Sequence, residues 1–142
     1  MDNNLAMFFE SKKEEIVKAT KKPLYEPNWE NALSQENSIY VIWKDKKPIY
    51  VGETCNIKER IKKDLRNKRN HTFRSKMSQK HYKLSTEKLT DKLKREYEVS
   101  YIPILYGRKE LEEYLILSWR KEKHKLINKK IVRALETYRE YL

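Results

Sequence analysis

SIYVIWKDKKPIYVGETCNIKER, residues 38–60, decides how the chain folds. It reads as strand, tight turn, strand, glycine and the opening turns of a helix. From Ser38 to Trp43 nearly every residue is β-branched or aromatic, the make-up of a pleated and largely buried strand. The polar run Lys44-Asp45-Lys46-Lys47-Pro48 breaks it, and Ile49-Tyr50-Val51 resumes it. Alternation places Tyr40 and Ile42 on one face and Ile39, Val41 and Trp43 on the other. Tyr50 and Gly52 share a face of the second strand. Paired as a hairpin, the two strands can turn both tyrosines the same way, with the register left open.

Gly52 is one of only two glycines in the chain. Between strand and helix, a missing Cβ allows either unusual φ/ψ or close approach of backbone to a ligand. Asn56 suits the N-cap that follows, with Glu59 completing a capping-box-like pair. Ile57, Ile61 and Leu65 form the buried stripe of this helix. Arg60 and Asp64 sit one turn apart at its half-buried edge, where an arginine can aim its fork at a carboxylate or a phosphate.

With 142 residues, the chain has room for one domain (1–142) with a modest core. Its 33 Lys and Arg outnumber 21 Asp and Glu, leaving +12, so a polyanionic partner is expected, nucleic acid first and an anionic membrane surface second. The plainer alternative is a lysine-rich soluble protein. A single cysteine, Cys55, excludes an internal disulfide framework and a cysteine-based zinc site, and fits a reducing cytoplasm. No signal-peptide pattern opens the chain, and no apolar run approaches membrane-spanning length.

Residues 5–19 read as a helix that covers the sheet, with Leu5, Phe8, Phe9, Lys12, Ile16 and Val17 at helical spacing. Residues 21–37 carry Pro23 and Pro27 and read as a loop, with Trp29 plugging an edge of the core. Residues 58–83 are the most basic part of the chain, with eleven cations against Glu59 and Asp64. Lys62, Lys63, Arg66, Arg69, Arg74 and Lys76 are the candidate phosphate contacts, interleaved with Phe73, Tyr82, His71 and His81. The alternative for this stretch is a solvated, mobile loop. Residues 85–96 read as a helix capped by Ser85 or Thr86 and buried along Leu89 and Leu93. Residues 99–105 read as a third strand, in which Pro103 implies an edge or a bulge.

The next helix, residues 108–123, follows Gly107. With Leu111 at zero on the wheel, Leu115 falls at about 40°, Trp119 at about 80° and Ile116 at about 140°. Glu112 falls inside this apolar arc at about 100°, whereas Glu110 and Glu113 fall outside it. A carboxylate turned towards a core needs a cation or several donors. It is either an ion-pair partner of Arg60 or Lys47, or a ligand for a divalent cation. The fold class expected is α+β, an α/β sandwich with a small, three-stranded, mainly antiparallel sheet. Extra helices flank the sheet at each end of the chain.

The residues quoted resemble the GIY-YIG nuclease family. Ser38-Ile39-Tyr40 stands for the first tripeptide, with serine for its glycine, and Tyr50-Val51-Gly52 for the second. Residues 52–60 match G-x-T-x-N-[LI]-x-x-R, and residues 112–116 match E-x-x-L-I. The resemblance spans 38–128, framed by a helix and loop in 1–37 and a helix in 129–142. It implies a metal-dependent DNA endonuclease in which Tyr40 is the general base; a phenol with its ordinary pKa of about 10 needs a nearby cation for that work, Lys44 or Lys47. Arg60 then holds the phosphate, Tyr50 positions the nucleophile or the phosphate, and Glu112 holds one Mg²⁺ (or Mn²⁺). Asn128 stands for the family's asparagine without the usual proline before it, or is the N-cap of the last helix. Asp64 occupies a position where many members have histidine or tyrosine, and His71 is a candidate substitute. The partner implied is DNA, double-stranded or branched, with a homodimer possible. A catalytically inactive binding module and a protein-interaction domain are the other readings.

Overall fold

The computed structural model describes residues 3–26, 28–65 and 72–128. The expected C-terminal helix 129–142, together with Arg66, Arg69 and His71, lies outside these residues, as does the side chain of Asp64. In chain order the helices and strands are α1 (Asn3–Lys18), β1 (Lys22–Pro23), β2 (Ser38–Lys44), β3 (Lys47–Thr54), α2 (Ile57–Glu59), α3 (Thr72–Lys80), α4 (Thr86–Glu96), β4 (Tyr97–Pro103) and α5 (Arg108–Lys121). A 3₁₀ turn covers Trp29–Ala32, and a π-helical segment, Arg60–Leu65, continues α2.

The sheet is antiparallel and α+β in class as expected, but it has four strands in the order β1-β4-β2-β3. The additional strand, β1, is two residues long and pairs Lys22 with Val99 and Pro23 with Glu98. So short a strand, ending in proline, has no hydrophobic period to betray it, and residues 21–37 accordingly read as loop. Pro103 ends β4 opposite Ser38, beyond the reach of β1, so its missing N–H removes no ladder bond on that side.

The hairpin forms by the alternation of its residues. Asp45 and Lys46 both adopt positive φ (51° and 63°), the backbone of a two-residue turn that matches strand twist. A bulge then shifts the register, so that Ile42 faces Tyr50 while Trp43 faces Pro48. Ile39, Val41, Trp43 and Val51 pack with α1 and α5 on one face. Tyr40, Ile42 and Tyr50 pack with Ile57, Ile61, Leu65 and the buried residues of α3 and α4 on the other. Ser100 sets a buried hydroxyl against the first core, and its hydrogen-bonding needs are met. Ser100 Oγ receives the Trp43 indole N–H at 2.8 Å and donates to the Ile16 carbonyl at 3.1 Å, tying α1 to the sheet.

Two helices depart from the expected pattern. On α1 only Phe9 and Ile16 are buried, while Leu5, Phe8 and Val17 remain exposed. The helix presents a single narrow seam to β4 and α5, too narrow for the full apolar stripe. After Asn56, one α-helical turn widens into the π segment, and Ile57, Ile61 and Leu65 are still buried as the spacing requires. The capping box is half made. Asn56 Oδ1 accepts the Glu59 N–H at 3.1 Å, but the Asn56 N–H donates to Thr54 Oγ1 and the Glu59 carboxylate pairs with Lys63 at 2.9 Å. No helix among the described residues is long and apolar enough to cross a membrane.

Candidate active site

Because β3 is an edge strand, alternate main-chain groups along it face away from the sheet and need partners. Ile127 N–H donates to the Ile49 carbonyl at 2.8 Å. The Asn128 amide brackets the next outward residue, Oδ1 accepting from Val51 N–H at 3.0 Å and Nδ2 donating to the Val51 carbonyl at 2.7 Å. One step further, the Glu53 N–H donates to the Glu112 carboxylate. Side chains thus do the work of a missing fifth strand, and they fix Asn128 and Glu112 against the backbone that carries Tyr50 and Gly52.

Glu112 projects from α5 and is half-buried, as the helical wheel requires. Burial pushes its carboxyl up to about 7, and the negative charges of Glu53 and Glu113 push the same way. The Glu53 N–H and the positive charge of Arg60 oppose the rise. The positive charge of Arg60 thus acts on Glu112 without keeping its carboxyl in the ordinary range. Glu53 has its own cation: Arg108 Nε donates to its carboxylate at 2.6 Å, clamping the start of α5 to β3. Glu113 is also half-buried, although the wheel placed it in solvent.

On the other face, β2 and β3 bring the tyrosines together. Tyr40 pairs with Gly52, and the Tyr40 and Tyr50 rings lie 6.3 Å apart between centroids, tilted by 30°. Tyr50 leans in turn on Phe73 at 5.9 Å. A Cβ at Gly52 would stand 2.1 Å from Tyr40 Cζ and 2.2 Å from its hydroxyl oxygen. The glycine is therefore needed so that the Tyr40 phenol can lie across β3. The close approach at Gly52 is made by this ring. Tyr40 is 1% exposed.

Arg60 opens the π segment and is half-buried, the position expected for it. Its N–H returns to the Asn56 carbonyl at 3.0 Å, so the Asn56 cap sets where the arginine starts. Tyr40 beside Gly52, and Glu112 with the charge of Arg60 beside Glu53, meet at two consecutive residues of one edge strand. The arrangement offers a desolvated carboxylate, a guanidinium and phenolic oxygens, the groups needed to hold a cation and a phosphate and to move a proton.

Several other expectations change. Lys44 lies at the far end of β2, paired with Glu96 at 3.8 Å and set over the Tyr97 ring. Lys47 is its cross-strand partner there, so neither lysine is placed to act on Tyr40. Lys76 donates to the Ile127 carbonyl and so supports the Asn128 segment. Arg74 is 2% exposed, so it is not the freely solvated cation that its place in a basic run implies. Phe73 is core, while Tyr82 remains in solvent. Lys62 and Lys63 are exposed as expected. The sequence reading passed over Glu53, Arg108 and Arg120, whose Nη2 holds the Asn128 carbonyl at 2.5 Å. Strand alternation carried the signal for Glu53, because it puts Glu53 opposite to Gly52 and hence towards α5. Nothing local marks Arg120.

A model of the GIY-YIG catalytic domain matches residues 36–128. No curated protein and no solved structure gives a significant match.

Proposed function

As a member of the GIY-YIG family, whose proteins are nucleases, this chain has phosphodiester bonds as its natural chemistry, and we propose that it is a metal-dependent endonuclease acting on DNA. The observation that carries the reading is the state of Glu112. It is a half-buried carboxylate lifted to about 7 by desolvation and by its acidic neighbours, and it is held on the β3 edge next to the charge of Arg60. A group so placed gains from a divalent cation.

The donor set fits Mg²⁺ or Mn²⁺ held through few protein ligands. No cluster of three His, Cys, Asp or Glu suited to a metal exists among the described residues. Mg²⁺, however, keeps most of its water and binds proteins through one or two carboxylates, completed by substrate phosphate. Glu112 is the ligand, and Glu53 is near enough in charge to add attraction. When bound, such a cation offsets charge on the departing oxygen.

The remaining work falls to the chain's own residues. Arg60 presents its fork to the non-bridging oxygens of the scissile phosphate and offsets charge as a fifth oxygen joins phosphorus. Tyr40 takes the proton of the attacking water at its phenolic oxygen as the new P–O bond forms and the bond to the leaving sugar oxygen breaks. With Lys44 and Lys47 at the far end of the hairpin, Arg60 is the site's own cation to favour the phenolate. Tyr50, packed on Tyr40, orients water or phosphate by hydrogen bond. Asn128 acts at one remove, fixing Val51 between Tyr50 and Gly52.

Near-complete burial of Tyr40 favours a second reading, an inactive nucleic-acid-binding module of the same fold. Plasmid nicking in Mg²⁺ or Mn²⁺ separates the two. The endonuclease cuts, and cutting falls by about 10²-fold or more in Arg60→Ala, Glu112→Gln and Tyr40→Phe. Tight DNA binding with no nicking by the unaltered protein selects the module.

A further inference from the structure

Away from the β3 edge, α3 and α4 meet at a tight turn. His81 N–H donates to the Met77 carbonyl at 3.0 Å, Leu84 N–H to the His81 carbonyl at 2.9 Å, and the Ser85 hydroxyl accepts the Lys88 N–H at 3.2 Å. Against this turn lies a cavity of about 230 Å³ lined by Arg74, Ser78, Tyr82, Leu84, Thr86 and Leu89. Arg74 is a charged side chain almost wholly out of water, 2% exposed. Its Nη2 donates to Thr90 Oγ1 at 2.8 Å, and its Nη1 makes a long 3.4 Å contact with the Tyr25 hydroxyl. Its Nε is buried with no hydrogen-bond partner among the described residues. No described carboxylate pairs with it; the Tyr25 ring, 5.5 Å away, is its other neighbour. A buried guanidinium with only neutral, incomplete partners is costly unless an anion completes the set.

The surroundings identify that anion. A second cavity of about 600 Å³ shares Tyr82 and Leu84 with the first and adds Lys80, Lys83, Lys88 and Arg95. Lys92 also lines it but is tied to Glu96 at 2.9 Å, and Asp91 is the one acid in the lining. His81 Nε2, buried in the same wall, has no hydrogen-bond partner among the described residues. Tyr82 stands between the two cavities with its ring 76% exposed, flanked by the Lys83 ammonium at 5.8 Å. The first turn of α4 adds the positive end of a helix at Thr86. A buried fork, two hydroxyls, an exposed ring and a run of cations suit a phosphate with a base attached and further phosphates on either side.

We propose that the α3–α4 turn is a second nucleic-acid site: Arg74 receives one backbone phosphate of a single strand, Tyr82 stacks on the adjoining base, and the cations of the wider cavity take the flanking phosphates. The site deepens the nucleic-acid side of the function proposed above and does not depend on cleavage. It holds a strand of the substrate apart from the reacting phosphate, as an enzyme of branched or opened DNA requires.

The test uses the full chain in EDTA with a fluorescein-labelled single strand of about 12 nucleotides, followed by anisotropy at several salt concentrations. Tyr82→Ala weakens binding about 5- to 100-fold, the range that loss of one stacked base gives. Lys83→Glu with Lys88→Glu weakens it and flattens the salt dependence. Arg74→Gln should do the same, and inorganic phosphate should raise the melting temperature of the unaltered protein but not that of this variant. Should Arg74→Gln fail to fold, the Tyr82 and lysine variants, exposed and free of the core, still decide. Wild-type affinity in Tyr82→Ala and in the double lysine variant overturns the site, even if the protein nicks plasmid. Protection by inorganic phosphate with no change in strand affinity in any variant also overturns it. Weakened strand binding in these variants, in a protein that never nicks, leaves the site standing and removes the nuclease.

Discussion

Removing the charge of Glu112 tests the site without relying on catalysis. Its carboxyl titrates near 7 in the folded protein against 4.5 for an ordinary glutamate. A carboxyl raised in the native state stabilises the fold when protonated, so this stability is present in full below about 4.5 and is lost as pH rises through about 7. Linkage over those two values makes the loss between pH 5 and pH 8 about 2.5 kcal/mol. Glu112→Gln keeps the acceptor for the Glu53 N–H but cannot ionise. In EDTA, urea unfolding of the two proteins should agree to within about 1 kcal/mol at pH 5, and at pH 8 the variant should be the more stable by about 3 kcal/mol. Mg²⁺ at pH 8 should then stabilise the natural protein and leave the variant unmoved, because only a species that binds the folded state shifts the balance. Parallel stability curves across this range would refute the argument, since they would mean that Glu112 stays solvated and has no reason to recruit a cation.

Gly52→Ala places a methyl into the Tyr40 ring, which is too buried to swing aside, and should cost about 1–3 kcal/mol by thermal unfolding while abolishing nicking. Asn128→Ala strands the Val51 N–H and carbonyl and should cost about 1–3 kcal/mol. Asn128→Asp should be worse than alanine, because it sets a carboxylate oxygen against the Val51 carbonyl; equal stabilities would show that the amide clamp is unimportant. Arg60→Lys, which keeps the charge but loses the fork, should lower nicking by about 10²-fold with little change in melting temperature. Arg108→Ala frees Glu53 to add repulsion at Glu112, so the pH at which stability is lost should lie higher in this variant than in the natural protein.

Much of the fold was legible because its rules are local. Period-two alternation assigned Tyr40, Ile42 and Tyr50 to one core and Ile39, Val41 and Trp43 to the other, and the packing agrees. Helical spacing turned Glu112 inward and kept Leu89 and Leu93 buried. The Asn56 cap was visible as a residue type before a periodic run. Less legible were features whose partners lie far along the chain. β1 exists because β4 offers it an edge, and nothing in Lys22-Pro23 announces it. Lys76 and Arg74 looked like surface cations because composition cannot distinguish a phosphate contact from a buried donor. Each meets a group distant in sequence, Ile127 for one and Tyr25 for the other.

By itself the sequence determined which residues could share a face and which types could serve phosphate chemistry, since both follow from backbone period and side-chain chemistry. Only the tertiary structure decided that Gly52 is the seat of the Tyr40 ring, that Asn128 spends its amide on Val51, and that Glu112 is held beside Glu53 and the charge of Arg60. Those outcomes depend on an edge strand whose outward N–H and carbonyl groups must be satisfied, and that need arises only when the sheet is assembled with β3 at its margin.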